Sequence, residues 1–362
     1  RSGNAEIALG WQGMKLAVQA ENFVDWVARR FNLAPLPLIH TQVAASAARA
    51  IQAAAELGIF DAIGREQKRA EEIAEACGTH PAATVKLLDC LTGIGYLRWS
   101  KGRYALRRRL RKWLLSESAQ SCHDKLIFQQ FEWNYLSKLE DFVRSGEPID
   151  LHRRSSPEEW ACYQRAMRAL SHSVAGEVGR TMPMPPGARQ MLDIGGSHGL
   201  MSRALCEAHP QLRSTILELP GAAQSVRAMI EGFESLDGRI SLRVGDALKD
   251  DLGEEAYDLV LICNVVHHFS EAQNRMLAQK VARALRPGGI YAINEFIRPE
   301  LPSPGGWIGA TSDLYFALTS ASGTWTRKEI RAWQEDAGLK PYAHLDFLRM
   351  PGWESLIAQK VA

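Results

Sequence analysis

Residues 191–200 read "MLDIGGSHGL". An apolar run that closes on a carboxylate gives way to two adjacent glycines, and Gly199 follows three positions later. The run predicts a strand over 190–194, and the glycines predict a loop to which something comes very close. A strand that ends in Asp193 and then loses its side chains suits the rim of a parallel sheet, where ligands sit beyond the carboxyl ends of the strands.

The surrounding sequence has the rhythm that such a sheet requires. Strand candidates at 190–194, 213–219, 240–246, 257–266 and 289–296 are separated by amphipathic stretches. Two further apolar stretches, 342–347 and 353–360, can close the sheet as an antiparallel pair. Alternating strand and helix predicts a mostly parallel α/β sheet covered on both faces.

Upstream the character differs. "TMPMPPGARQ" (181–190) marks the boundary, because proline has no amide donor with which to continue a ladder. Residues 1–180 form a helical domain by spacing, and 181–362 form the sheet domain. In "TQVAASAARAIQAAAELGIFDAI" apolar residues recur at three- and four-residue steps, with Gly58 at a helix end. "AEEIAEACGTHPAATVKLLDCLTGIGYLRWSKGRYALRRRL" reads as helix, turn, helix and then two short strands around Lys101-Gly102. That is the outline of a winged helix, spanning about 40–117. The basic run Arg107, Arg108, Arg109, Arg111 and Lys112 raises the question of DNA, but the second helix carries Lys86 as its only cation. The module is read as a dimerisation and lid domain, with no nucleic-acid partner.

Composition agrees. The 362 residues are 46% hydrophobic and 23% charged with a net charge of +2, so no global field draws the chain to nucleic acid or membranes. No apolar run is long enough to span a bilayer, and the first residues lack a charged-then-apolar signal pattern. A start at Arg1 is expected of a trimmed chain or of a segment cut from a longer protein. The six cysteines (77, 90, 122, 162, 206 and 263) are scattered, as expected of core thiols in the cytoplasm rather than of a disulfide frame or a zinc site.

The chemistry sits at the strand ends. "LDIGGSHG" departs from the dinucleotide fingerprint, since its first two glycines are adjacent. Asp193 would repel a pyrophosphate and suits a ligand with an ammonium or sulfonium charge. Glu218 closes "STILEL", where a carboxylate can take both hydroxyls of a ribose, and Asp246 in "VGDAL" can face an adenine edge. Three acidic strand ends around a glycine turn point to S-adenosylmethionine rather than NAD.

With these residues in view, 150–362 resembles the class I S-adenosylmethionine-dependent methyltransferases through "LDIGGSHG", "LELP", "GDAL", "LRPGG" and "INEF". With its helical half, the chain resembles the two-domain small-molecule O-methyltransferases, which include plant phenolic, hydroxyindole and bacterial antibiotic-tailoring enzymes. The resemblance implies a Rossmann-like fold with an N-terminal winged-helix-like dimerisation domain, and hence a homodimer. It also implies S-adenosylmethionine as donor, S-adenosylhomocysteine as product and a small acceptor, which points to secondary metabolism. Cofactor contacts are expected from Asp193, Gly195, Gly196, Gly199, Glu218, Leu219, Asp246, Ala247 and Asn264. The glycines are expected to leave room for the methionine end.

"LICNVVHHFSEAQ" (261–273) follows the fourth strand, where the family carries its base; aligning Phe269-Ser270 puts that base at His267. A neutral imidazole, with a pKa of about 6.5, can accept a phenol proton at neutral pH. Glu295 in "INEF" matches a family glutamate that orients the base. His268 stands where the family has an acidic residue, and no carboxylate stands at Thr324, where many plant members have a second glutamate. A metal held by the two histidines with Glu295 lacks a third histidine at suitable spacing.

Aromatic residues expected around the acceptor are Phe131 and Trp133 in "IFQQFEWNYL" and Trp307 and Phe316 in "GWIGATSDLYFAL". Met167 and His268 complete the expected pocket. The departures at His268 and Thr324 leave C- or N-methylation open on the same scaffold. A non-methylating reaction aided by the bound sulfonium also stays open, and a winged-helix DNA regulator is the remaining alternative.

Overall fold

The structure is a computed structural model that describes residues 19–20, 22–149, 156–233, 236, 238–303, 306–320 and 322–361. Its described residues form two compact units, one of 19–133 with 157–170 and one of 134–149 and 156 with 171–361. The division falls at Ser171, inside the long helix Pro157–Thr181, and not in the proline-rich loop that follows it.

The helical unit has the winged-helix order. Helix Ala44–Glu56 ends before Gly58, whose left-handed φ of +71° starts the short helix Ile59–Ile63. Helix Ala70–Cys77 is closed by left-handed Gly78, and Pro81 opens the next helix, Pro81–Gly93, at a position where no amide hydrogen is needed. Strands β1 (Gln67–Lys68), β2 (Leu97–Ser100) and β3 (Arg103–Leu106) form a small antiparallel sheet in the order β1-β3-β2. Lys101 and Gly102 both take positive φ, as a two-residue hairpin turn demands. Ile59, Phe60, Ile63, Ile73, Leu88, Leu91, Leu97 and Leu106 form its core, each at most 1% exposed.

The second unit is built on seven strands. These are β4 (Gln190–Ile194), β5 (Arg213–Glu218), β6 (Ile240–Val244), β7 (Tyr257–Cys263), β8 (Leu285–Phe296), β9 (Leu339–Asp346) and β10 (Trp353–Lys360). Their order is β6-β5-β4-β7-β8-β10-β9. The pairs from β6 to β8 are parallel, and β10 runs antiparallel to both β8 and β9.

Strand β7 stops at Cys263, short of the expected 266. Asn264 turns to a φ of +52°, and Val266–His268 tighten into a 3-10 turn. Alternation sorts the side chains: Val260, Ile262, Tyr291 and Ile293 join one core layer, while Leu259, Leu261, Ile290 and Ala292 join the other. With both faces buried, these strands read as near-continuous apolar runs. Each large side chain so buried contributes roughly 1.5–3 kcal/mol.

Strand β4 has parallel neighbours on both sides, so the chain reverses direction across the sheet there, and a crevice opens above its carboxyl end. The backbone ties the strand tips together along that rim. Gly195 N–H donates to Leu217 O, Gly245 N–H to Glu218 O and Asn264 N–H to Asn294 O, all at 2.8–2.9 Å. No helix among the described residues is long and apolar enough to cross a membrane.

Candidate active site

The glycine loop is shaped from below. Asp193 is 1% exposed, and its Oδ2 accepts from Ser202 Oγ at 2.6 Å. A Cβ on Gly196 would lie 2.6 Å from that carboxylate, and one on Gly195 (φ +67°) would lie 2.8 Å from Val265 Cγ2. At both glycines a side chain would therefore meet the protein itself. Gly199, also at positive φ, starts helix Leu200–Ala208 over Ile216, Ile230 and Phe233. Burial pushes the Asp193 carboxyl up to about 6, opposed by the Ser202 bond and reinforced by the Glu218 charge.

Glu218 stands at the tip of β5, half-buried. Its Oε2 accepts from Ser197 N–H at 3.3 Å and its Oε1 from Leu219 N–H at 2.8 Å, which fixes the carboxylate beside the loop. Burial raises its pKa against those two bonds. Leu219 is 52% exposed, an apolar surface beside the carboxylate. Asp246 follows the tip of β6, its Oδ2 2.9 Å from Lys249 Nζ and its Oδ1 accepting from Leu248 N–H. Burial would raise this carboxyl, but the Lys249 and Leu248 hydrogen bonds outweigh it and hold the pKa low. Ala247 is buried, and its carbonyl accepts from Lys280 Nζ at 2.6 Å. Asn264, in its left-handed turn, accepts from Trp353 Nε1–H at 2.7 Å through Oδ1.

His267 and Glu295 come together from adjacent strand tips. The ring Nδ1 lies 2.8 Å from Glu295 Oε2, with side chains 3% and 0% exposed. Glu295 Oε1 accepts from Phe296 N–H at 3.0 Å. Burial pushes the Glu295 carboxyl up to about 8, against the Phe296 and His267 hydrogen bonds. Phe316 stacks on the imidazole with centroids 3.9 Å apart and planes 24° apart, and the His268 ring lies 4.1 Å away. These four residues form one cluster. Thr324 is buried, and its N–H and hydroxyl both go to Asp313 Oδ1.

The remaining pocket candidates divide between the units. Trp307, half-buried, opens helix Trp307–Thr319 in the sheet unit. In the helical unit Trp133 Nε1–H donates to Gln52 Oε1 at 2.5 Å, Phe131 packs on Phe128 and Met167 is half-buried. Among the described residues, the three ligand groups that converge are His344, Asp346 and Glu354 on β9 and β10, not the paired histidines with Glu295. Arg327 grips Glu354 there with two hydrogen bonds of 2.6 and 2.7 Å.

Sequence reasoning missed the residues that hold the site. Ser202 and Val265 shape the loop, and Asn274, Ser322 and Trp325 bind the carbonyls around the histidine turn. Val265 falls at the end of the expected strand 257–266 and the others in stretches that read as ordinary helix or loop, and the Ser270–Gln273 capping box is the nearby pattern that could have signalled the turn.

The donor set fits S-adenosylmethionine. It offers a carboxylate held at a strand tip, an exposed leucine next to it and a buried carboxylate under the loop. Comparison with known proteins points the same way. Residues 143–340 match the O-methyltransferase domain and residues 40–116 the O-methyltransferase dimerisation domain. The mitomycin biosynthesis 6-O-methyltransferase of Streptomyces lavendulae is 28% identical over 71% of this chain and 76% of its own length. The L-tyrosine C(3)-methyltransferase of the same organism is 26% identical over 85% and 87%. Human N-acetylserotonin methyltransferase, solved in complex with S-adenosylmethionine, superposes with a TM-score of 0.77 over 96% of this chain and all of its own, at 17% identity. With more than half of its residues matched by the catalytic domain, this chain belongs to the O-methyltransferase family.

Proposed function

We propose that the protein transfers a methyl group from S-adenosylmethionine to a hydroxyl of a small aromatic acceptor, with His267 as general base and Glu295 as its orienting partner. The observation that carries this reading is the buried 2.8 Å His267–Glu295 bond at the strand rim that also bears the glycine loop and Glu218. The bound donor supplies a methyl group already activated by its sulfonium, so positioning and one proton removal are left to the chain.

Glu218 would accept from the ribose hydroxyls, and Leu219 and Asp246 would hold the adenine. With Nδ1–H donated to Glu295, the imidazole presents Nε2 to the acceptor proton, and the carboxylate stabilises the imidazolium that results. The pair acts as a base only while it holds one proton. Phe316 stacks on the ring and keeps water from that face. Trp307, His268 and Phe316 are offered as acceptor contacts.

One observation favours a second reading, methylation at carbon. His268 and Thr324 stand at the two positions where the family resemblance leads one to expect acidic residues. A phenolate made by the same base is nucleophilic at its ortho carbon as well as at oxygen, so both readings share every step up to the attack.

A homodimer through the helical unit and a cytoplasmic location belong to the same proposal. The dimerisation-domain match supports the first, and the scattered thiols support the second. The test is calorimetric titration with S-adenosylmethionine and S-adenosylhomocysteine, with NAD as control, followed by a screen of phenolic acceptors for one added methyl. Micromolar binding and a methyl gain are expected, and the site of attachment separates oxygen from carbon. Binding of neither ligand would refute the proposal.

A further inference from the structure

Three side chains converge on the two carbonyls that bracket the His267–His268 turn. Val266 O accepts from Trp325 Nε1–H at 3.1 Å and from Asn274 Nδ2–H at 3.0 Å. Phe269 O accepts from Ser322 Oγ–H at 2.5 Å and from the same Asn274 amide at 3.2 Å. Two of these donors, Ser322 and Trp325, sit on either side of Gly323 and Thr324 in one short segment.

That segment is fastened to Asp313. Thr324 donates its N–H at 2.7 Å and its hydroxyl at 3.1 Å, both to Asp313 Oδ1. Gly323, at φ +75°, presses on the same atom so closely that a Cβ there would lie 2.7 Å from it. Asp313 belongs to helix Trp307–Thr319 and precedes Phe316 by three residues, so the two share a side of the helix. Phe316 is the ring stacked on His267.

We propose that Asp313 is a positioning residue for His267. Through Thr324 it locks the helix that presents Phe316 and the segment that presents Ser322 and Trp325 into one frame around the imidazole. It does at a distance what a second carboxylate beside the ring would do directly. The inference rests on the reading of His267 as the base. Both donors share a single oxygen, so the frame needs an acceptor at Oδ1 and no negative charge.

The test compares Asp313→Ala, Asp313→Asn and Thr324→Val in the full chain. It uses steady-state kinetics with an acceptor that gains a methyl in the phenolic screen, calorimetry with S-adenosylhomocysteine, and the ring-nitrogen NMR signals of His267 assigned by their loss in His267→Gln. Asp313→Ala is expected to lower kcat at least tenfold and to shift or broaden the His267 signals. The acceptor KM and the affinity for S-adenosylhomocysteine should stay within twofold. Asp313→Asn should restore both kcat and the signals, and Thr324→Val should fall between. Unmoved signals with wild-type kcat in Asp313→Ala would overturn the proposal. So would an Asp313→Asn as impaired as the alanine variant, or a loss of kcat matched by a loss of S-adenosylhomocysteine affinity. Should His267→Ala keep wild-type turnover, the base reading falls, and the NMR comparison still decides whether Asp313 frames the ring.

Discussion

His267 Nδ1 and Glu295 Oε2 lie 2.8 Å apart where neither side chain is more than 3% exposed. A buried pair of this kind fixes the ring through one nitrogen and leaves the chemistry to the other. His267→Ala should therefore lower turnover by about a hundredfold or more, the usual scale for a general base. S-adenosylhomocysteine affinity should stay near wild type. Calorimetry and single-turnover kinetics on the same preparation separate the two effects, and wild-type turnover would remove His267 from the mechanism.

The pair also sets opposite pH trends for stability and activity. Burial pushes the Glu295 carboxyl up to about 8, against an ordinary value of 4.5. Between those values the folded protein holds a proton that the unfolded chain has released, so this group's contribution to stability falls as pH rises from about 4.5 to about 8. Turnover should rise through the upper part of the same window, as the pair comes to hold one proton. Thermal melts and kcat measured from pH 5 to 9 test both trends, and Glu295→Gln should flatten the first.

Glu218→Ala removes the carboxylate proposed to take the two ribose hydroxyls. A charged hydrogen bond contributes about 1.5–3 kcal/mol, so S-adenosylhomocysteine binding should weaken by about ten- to a hundredfold. The same carboxylate holds Ser197 N–H, and Glu218→Gln, which keeps an acceptor there, should lose less. Equal affinities for both variants and wild type would dissociate Glu218 from the cofactor.

Gly195→Ala and Gly196→Ala should fail for reasons internal to the protein. The first forces a side chain into positive φ and against Val265, and the second drives one into the Asp193 carboxylate. Each should cost about 1–3 kcal/mol in stability and weaken cofactor binding with it. Denaturant midpoints measured beside the binding titration would reveal the coupling, and a loss of binding at full stability would return the glycines to a purely ligand-clearing role.

The alternation of strands and the wing around Lys101-Gly102 were legible because burial on both faces and left-handed turns leave marks on residue type. The expected antiparallel pair of 342–347 with 353–360 is present, with β9 starting earlier, at Leu339. The neighbourhood of His267 and Glu295 was reachable only through resemblance, since histidines in a turn after a strand have no periodicity to betray them. Phe316 was singled out as an acceptor wall, and its stacking on His267 was invisible because 49 positions separate the two in sequence. Asp313 gave no signal at all. Its partners are a backbone amide and a threonine, and neither restricts residue type enough to show.

Strand β10 follows both β8 and β9 in the chain, yet it lies between them and hydrogen-bonds to both. Until residues 353–360 have been synthesised, β8 presents an unpaired edge along the stretch that ends in Glu295, whose pairing position is Glu354. Exposed edges of that kind invite pairing with other chains. Vectorial synthesis thus leaves the strand that carries Glu295 with an open edge until its antiparallel neighbour has emerged, and over that interval the growing chain is most open to mispairing.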